Sequence, residues 1–285
     1  MSAIQEERNW SQVIKPTAGF TAFNLKELWR YRDLIILFVK RDFIAIYKQT
    51  VLGPAWHIIQ PLFTTAVYVL FGAFVNIPSD GLPRVLFCLS GVVIWNYFSS
   101  CLVKTSSTFV GNAHIFGKVY FPRLCIPVSI VISNLMSFFI QLSLLIPVLL
   151  YYAFVKHVVI QPNEMLLAFP FIVVFLAMMG LGLGLIVSSL TVRYRDLVYL
   201  IAFGVQLAVY ITPVIYPLSM LKGKAERLAS LNPVTPFIEI FRYSILGKGT
   251  FTADGMFYGV LASVVILLIG MVAFSKVEKD FMDTV

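Results

Sequence analysis

Residues 165–192 read MLLAFPFIVVFLAMMGLGLGLIVSSLTV, a run with no Asp, Glu, Lys or Arg. About 20 apolar residues in a helix cross the hydrocarbon of a bilayer, and a charged side chain at the centre of such a helix costs roughly 2.5–3.5 kcal/mol. The run therefore predicts a membrane helix, near 166–190. The same test applied along the chain finds five further charge-free intervals, at 49–79, 85–103, 124–155, 197–221 and 255–275. Trimmed for turn residues, they predict helices near 57–77, 85–104, 127–154, 197–216 and 256–275. The expected fold class is all-α integral membrane, with six transmembrane helices.

Composition agrees. The 285 residues are 59% hydrophobic and 13% charged, and the mean hydropathy is +0.87, whereas a soluble domain is about half apolar and roughly a quarter charged. Cys88, Cys101 and Cys125 lie in or beside apolar segments without metal-ligand spacing and read as small packing residues. The net charge of +8 is spread between the hydrophobic runs. That distribution points to topology and lipid headgroups, not to nucleic acid.

With a cytoplasmic N-terminus, 15 of the 22 Lys and Arg residues fall on the inside, which predicts both termini cytoplasmic. Ahead of the first span, residues 24–40 show a capping-box pattern at Asn24 and Glu27 and apolar residues near helical spacing, Leu28 and Trp29 among them. Lys26, Arg30, Arg32, Lys40 and Arg41 flank them. Two readings stay open: an amphipathic helix in the membrane surface, or a soluble helix packed on the protein's own cytoplasmic face. Between the last two spans, residues 217–255 contain an apolar stretch, 228–238, too short to cross and broken by Asn232-Pro233 and Thr235-Pro236. This segment either dips into the outer leaflet and returns or lies on the outer surface.

A phosphate-cradling G-x-x-x-x-G-K-[ST] loop is missing; residues 111–119 fail it on spacing and on the hydroxyl. Ionisable residues of the kind used by ion-coupled carriers do not occur near the middle of any span, and no catalytic constellation is evident. Gly180, Gly182 and Gly184 with Ser188 and Ser189 form a small-residue face suited to close helix packing or to a hinge. Trp56, Trp95, Tyr97, Tyr199, Tyr210 and Tyr216 are candidates either for an interfacial aromatic belt or for lining a path on which sugar rings pack. The loop 105–123 carries Phe109, His114, Ile115, Phe116, Lys118 and Tyr120, and the turn after the fourth span carries Arg193, Arg195 and Asp196. Both are either solvated loops that set topology or surfaces for a partner.

Several strings then resemble one family in the expected order. They are Arg41-Asp42, Tyr47-Lys48-Gln49-Thr50-Val51-Leu52-Gly53-Pro54-Ala55-Trp56, Gln60-Pro61-Leu62, Phe121-Pro122-Arg123 with Pro127, Arg193-Tyr194-Arg195-Asp196-Leu197, Thr212-Pro213-Val214-Ile215-Tyr216-Pro217, and Leu231-Asn232-Pro233 with Phe241-Arg242. The chain is similar to the ABC-2-type permeases of bacterial polysaccharide export, which serve O-antigen, capsule and teichoic acid. The resemblance implies one permease domain over 1–285, with an interface helix at 24–40 and a transmembrane region at 57–275, in the bacterial inner membrane. It implies a second copy of the chain, two copies of a separate ATPase subunit that bind ATP and magnesium, a lipid-linked glycan as cargo, and no cofactor in this chain. It further implies that 105–123 holds the ATPase-coupling helix and that the loop with Asn232, Pro233, Pro236 and Arg242 is re-entrant. A smaller lipid or drug as cargo, or a self-sufficient carrier, are the alternatives.

Overall fold

The computed structural model describes residues 25–48, 51–116 and 121–282. Among these residues the regular structure is helical throughout, in eleven α-helices. They are α1 Leu25–Arg30, α2 Arg32–Lys48, α3 Trp56–Phe74, α4 Arg84–Ser106, α5 Thr108–Phe116, α6 Cys125–Leu150, α7 Phe169–Thr191, α8 Leu197–Ile211, α9 Lys224–Leu231, α10 Thr235–Leu246 and α11 Ala253–Met282. With the short turns that extend them, α3, α4, α6, α7 and α11 are long and apolar enough to cross a membrane. The apolar helix α8 is shorter, at 15 residues. The chain is an integral membrane protein.

Helix α4 is the hub: it is buried along most of its length and packs against α3, α6, α7, α8 and α10. Apolar surface gives little reason for helices to associate in lipid, so close backbone approach has to hold them together. Helix α7 supplies it on two faces. A Cβ on Gly180 or Gly184 would collide with Cys101 or Thr105 of α4, and one on Gly182 would collide with the Leu267 backbone of α11. From the other side, a Cβ on Gly270 would run into the Gly182 carbonyl. The small-residue face is therefore a packing surface. All three cysteines are buried free thiols.

Two expected boundaries are corrected. The fifth predicted helix, 197–216, stops at Ile211, because Pro213 disfavours helical backbone at Thr212, which is extended at φ −88°, ψ 143°. The helix expected over 24–40 runs on to Lys48 in two pieces, α1 and α2, separated at Tyr31. Charges at 40–42 end the apolar run without ending the helix: Arg41 donates twice to Asp42 near the surface, while Ile35 and Phe38 on the other face are buried in a cluster with Cys125 and Ile126 of α6.

The α7 contacts yield a stability test. Gly182→Val should lower the thermal stability of the detergent-solubilised protein by about 1–3 kcal/mol through overpacking. Gly111→Ala, where an added Cβ meets nothing within 4 Å, should leave the melting curve unchanged.

Candidate functional site

At one end of the bundle, α5 is bound into the protein by its aromatic residues. Rings run in an unbroken chain from Phe38 of α2 to Phe121, Phe116, Phe109 and Phe274 of α11, with successive centroids 5.7, 5.8, 5.9 and 4.5 Å apart. The expectation that Phe109 and Phe116 face a partner is corrected: both are buried in this cluster, because a large ring gains most by leaving water for the protein's own core. What this end presents is the opposite side of α5, with Val110, Ala113 and His114 exposed and Ile115 half-buried. Lys118 and Tyr120 lie outside the described residues. Beside α5, Thr191 donates to the Ser106 carbonyl at 3.3 Å, which ties the end of α7 to the end of α4. The next turn exposes Arg193, Tyr194, Arg195 and Asp196. Leu28, Trp29, Arg30 and Arg32 stand at the start of the α1–α2 arm, where Trp29, Arg30 and Arg32 are exposed and Leu28 packs against the same aromatic cluster. Burial lowers the Arg123 guanidinium from its ordinary value, and the carboxylate of Glu278 opposes that shift.

At the other end, the chain break after α8 is held by a buried ion pair. Arg242 is 1% exposed and Glu239, one turn earlier on α10, is 3% exposed. Arg242 Nη1 donates to the Pro213 carbonyl at 2.6 Å and to Glu239 Oε1 at 3.2 Å. Its Nη2 donates to the carbonyls of Val214 at 2.7 Å and Phe87 at 3.3 Å. The guanidinium also lies 3.7 Å from the Phe87 ring centre. One planar fork thus joins the start of α4, the end of α8 and α10, which a single-point lysine does not do. Space comes from Gly91, where a Cβ would lie 2.5 Å from Nη2. Glu239 Oε2 accepts from the backbone N–H and hydroxyl of Thr250, at 3.0 and 3.1 Å. Asn232 completes the arrangement, donating to Thr212 Oγ1 at 2.8 Å and accepting from the Val234 N–H at 3.0 Å. Pro233 lies in that turn, and Pro236 stands in the first turn of α10, where a missing N–H goes unnoticed.

Between the two ends, the aromatic candidates divide. Trp95 and Tyr97 are 7% and 2% exposed and pack on Phe98 and Phe138 inside the core, away from the exposed surface on which the belt or path readings place an aromatic residue. They belong to α4, which is apolar around most of its circumference and buried along most of its length. Trp56, Tyr199 and Tyr210 are exposed, Tyr199 at 80%, and they fall on two stripes. On α8, Tyr199, Phe203, Gln206 and Tyr210 recur at helical spacing on one exposed face, and on α3 Trp56, Gln60, Phe63 and Val67 do the same. Tyr216 folds back, donating its hydroxyl to the Ile211 carbonyl at 2.7 Å.

Residues 33–246, from α2 through α10, match the family model described as ABC-2 type transporter. This chain belongs to the ABC-2 type transporter family. Among characterised proteins, the O-antigen export system permease protein RfbA of Klebsiella pneumoniae is 27% identical over 252 residues, covering 87% of this chain and 93% of that protein. The protein of the same name from Myxococcus xanthus is 26% identical over 264 residues, with 92% and 98% covered. The capsule polysaccharide export inner-membrane protein CtrC of Neisseria meningitidis serogroup B is 24% identical over 259 residues, with 87% and 92% covered.

Within this ABC-2 chain, sequence reading missed Glu239, Gln206 and Glu278. Gln206 was recoverable, since a polar residue at heptad-like spacing from Tyr199 and Tyr210 in an otherwise apolar helix marks a stripe. Glu239 was recoverable as the i,i+3 partner of Arg242 in an apolar stretch, whereas Glu278 carries no local signal, because its partner Arg123 is 155 positions away. The buried pair gives a direct test. Arg242→Ala, which strands Glu239, should cost roughly 3–5 kcal/mol of stability, read as a lower unfolding midpoint in detergent, and Arg242→Lys should restore only part of it. Gly91→Ala should weaken the same network.

Proposed function

We propose that the chain is the membrane subunit of an ATP-driven exporter that carries a lipid-linked polysaccharide outward across a bacterial inner membrane. The observation that carries this reading is the end-to-end similarity to permeases named for two different exported polysaccharides. The α3 and α8 stripes supply a chemistry for it. A sugar ring packs its C–H face on an aromatic ring while its hydroxyls meet amides, and Trp56, Tyr199 and Tyr210 stand beside Gln60 and Gln206. Glutamine facing lipid has no hydrogen-bond partner, whereas glutamine facing a sugar or a second copy of the chain has one. Two copies set stripe to stripe would enclose a path between them, with Tyr216 near its outer end.

In this reading α8 is a sixth crossing. Fifteen helical residues reach about 22 Å, and residues 212–214 complete the distance. The carbonyls of Pro213 and Val214 are satisfied by Arg242 inside the protein and that of Thr212 by the Val214 N–H, as the absence of water requires. Six crossings put both termini on one side, which the bias of Lys and Arg makes the cytoplasmic one, and α9 and α10 form the re-entrant segment around Asn232, Pro233 and Pro236. The arm α1–α2 lies in the cytoplasmic membrane surface, with Trp29, Ile36, Leu37 and Ile44 exposed toward lipid among Arg30, Arg32 and Lys40. Two copies of a separate ATPase subunit bind ATP and magnesium and dock on His114, Ile115, Arg193, Arg195 and Asp196, with Lys118 and Tyr120 in the same loop. The chain itself is a transport component and not an enzyme.

Depletion of the chain should leave lipid-linked polysaccharide inside the cell and strip it from the surface, as measured by gel analysis of surface and intracellular glycan. A Tyr210→Ala, Gln206→Leu double variant should reach the membrane at normal levels yet export several-fold less, a loss of about 1 kcal/mol or more in cargo contacts. Normal surface polysaccharide in the depleted cells would remove the reading.

A further inference from the structure

The far end of α11 is fastened to the loop that leaves α5. The Arg123 N–H donates to Glu278 Oε1 at 3.3 Å, and Arg123 Nη1 donates to the Glu278 backbone carbonyl at 3.0 Å. Each side chain therefore grips the other residue's main chain, across 155 positions of sequence. One turn earlier on α11, Phe274 stacks on Phe109 of α5, with centroids 4.5 Å apart and planes 22° from parallel. The Arg123 guanidinium also lies over the Phe116 ring, 5.4 Å from its centre. Helix α11 thus holds the coupling segment where it begins and where it leaves.

The covalent route from α5 into the bundle is softer. Helix α4 ends at Ser106, and Ser107 breaks from helical geometry at φ −96°, ψ 10°. A second break follows inside α5, at Asn112, with φ −119°, ψ 16°. A push at Ala113 or His114 meets two backbone bends before it reaches α4, and one at Val110 meets the bend at Ser107. The non-covalent route is stiff: Glu278 and Phe274 sit one turn apart on a continuous 30-residue helix. That helix is locked to α7 through the backbone contact of Gly270 with Gly182.

We propose that α11, and not the directly connected α4, receives the displacement of α5, with Glu278 and Phe274 as positioning residues that yoke the two. The proposal rests on the reading of α5 as the ATPase-facing segment. It makes α11 the first element of the bundle to move with the loop, and that movement reaches α7 through Gly182 and then α4 through Gly180 and Gly184.

The test uses the full chain assembled with its ATPase subunit. Spin labels at Ala113 of α5 and Val272 of α11, both exposed, should keep the same separation with and without ATP in the otherwise native protein. In Glu278→Ala, which removes the acceptor for the Arg123 N–H, the separation should broaden or shift with nucleotide. Glu278→Gln, which retains an Oε1 acceptor, should restore the native behaviour. In cells, Glu278→Ala should hold its membrane level and the ATP hydrolysis of the purified assembly, while surface polysaccharide falls about tenfold, the loss expected for one charge-assisted hydrogen bond. Should Glu278→Ala fail to assemble, Phe274→Leu keeps the apolar contact but loses the stack, and it should show the same decoupling in weaker form. A separation that changes with ATP in the native protein overturns the yoke, as does Glu278→Ala that exports normally. Failure of the native assembly to export polysaccharide would instead overturn the functional reading, because the label distances do not depend on cargo.

Discussion

Inside a bilayer no water is available to satisfy a loose carbonyl or to reward the clustering of apolar side chains, and this constraint shapes every element of the protein. Where the chain stays helical, it solves the first problem by itself and meets the second with glycine, so that α7 approaches α4 and α11 backbone to backbone. Where the chain breaks, as at Thr212-Pro213 after α8, the freed carbonyls need a partner from the protein. Arg242 meets that need, with Glu239 held against it to balance its charge. The ion pair is costly to bury, and the carbonyls it binds would be costly left open.

The same constraint separates two mechanical regions. At one end of the bundle, the Arg242 fork welds α4, α8 and α10 into one block. At the other end, the phenylalanine chain from Phe38 to Phe274 and the Arg123–Glu278 contact gather α2, α5 and α11. Helix α7 lies between α4 and α11, touching each through glycine. In the proposed exporter, the α5 cluster is the end that moves with nucleotide and the Arg242 cluster the end that keeps its shape.

The membrane helices were legible because charge is excluded from lipid, which writes each span as a charge-free interval. The same rule hid the end of α8, since residues 212–216 are as free of charge as the helix before them and only Pro213 marks the break. The proline-broken stretch 228–238 announced an irregular segment, but its destination depended on Arg242 meeting carbonyls 28, 29 and 155 positions away, which no local pattern encodes. Aromatic residues were the hardest to place. Trp95 and Tyr97 look like Tyr199 and Tyr210 in sequence, and only the central position of α4 against the peripheral position of α8 separates core from exposed stripe. Phe109 and Phe116 misled for a related reason: a loop rich in phenylalanine reads as a docking surface until the chain's own α11 is found beneath it.

Sequence, fold and relatives converge on the membrane subunit of an ABC exporter for polysaccharide. The apolar helices offer a frame, and in the proposed reading the α3 and α8 stripes meet sugar while the α5 end meets the ATPase. Reconstitution into proteoliposomes with and without the partner ATPase subunit addresses this most directly. The account predicts that lipid-linked polysaccharide crosses the bilayer only when both subunits and ATP are present. Transport or ATP hydrolysis by this chain alone would contradict it.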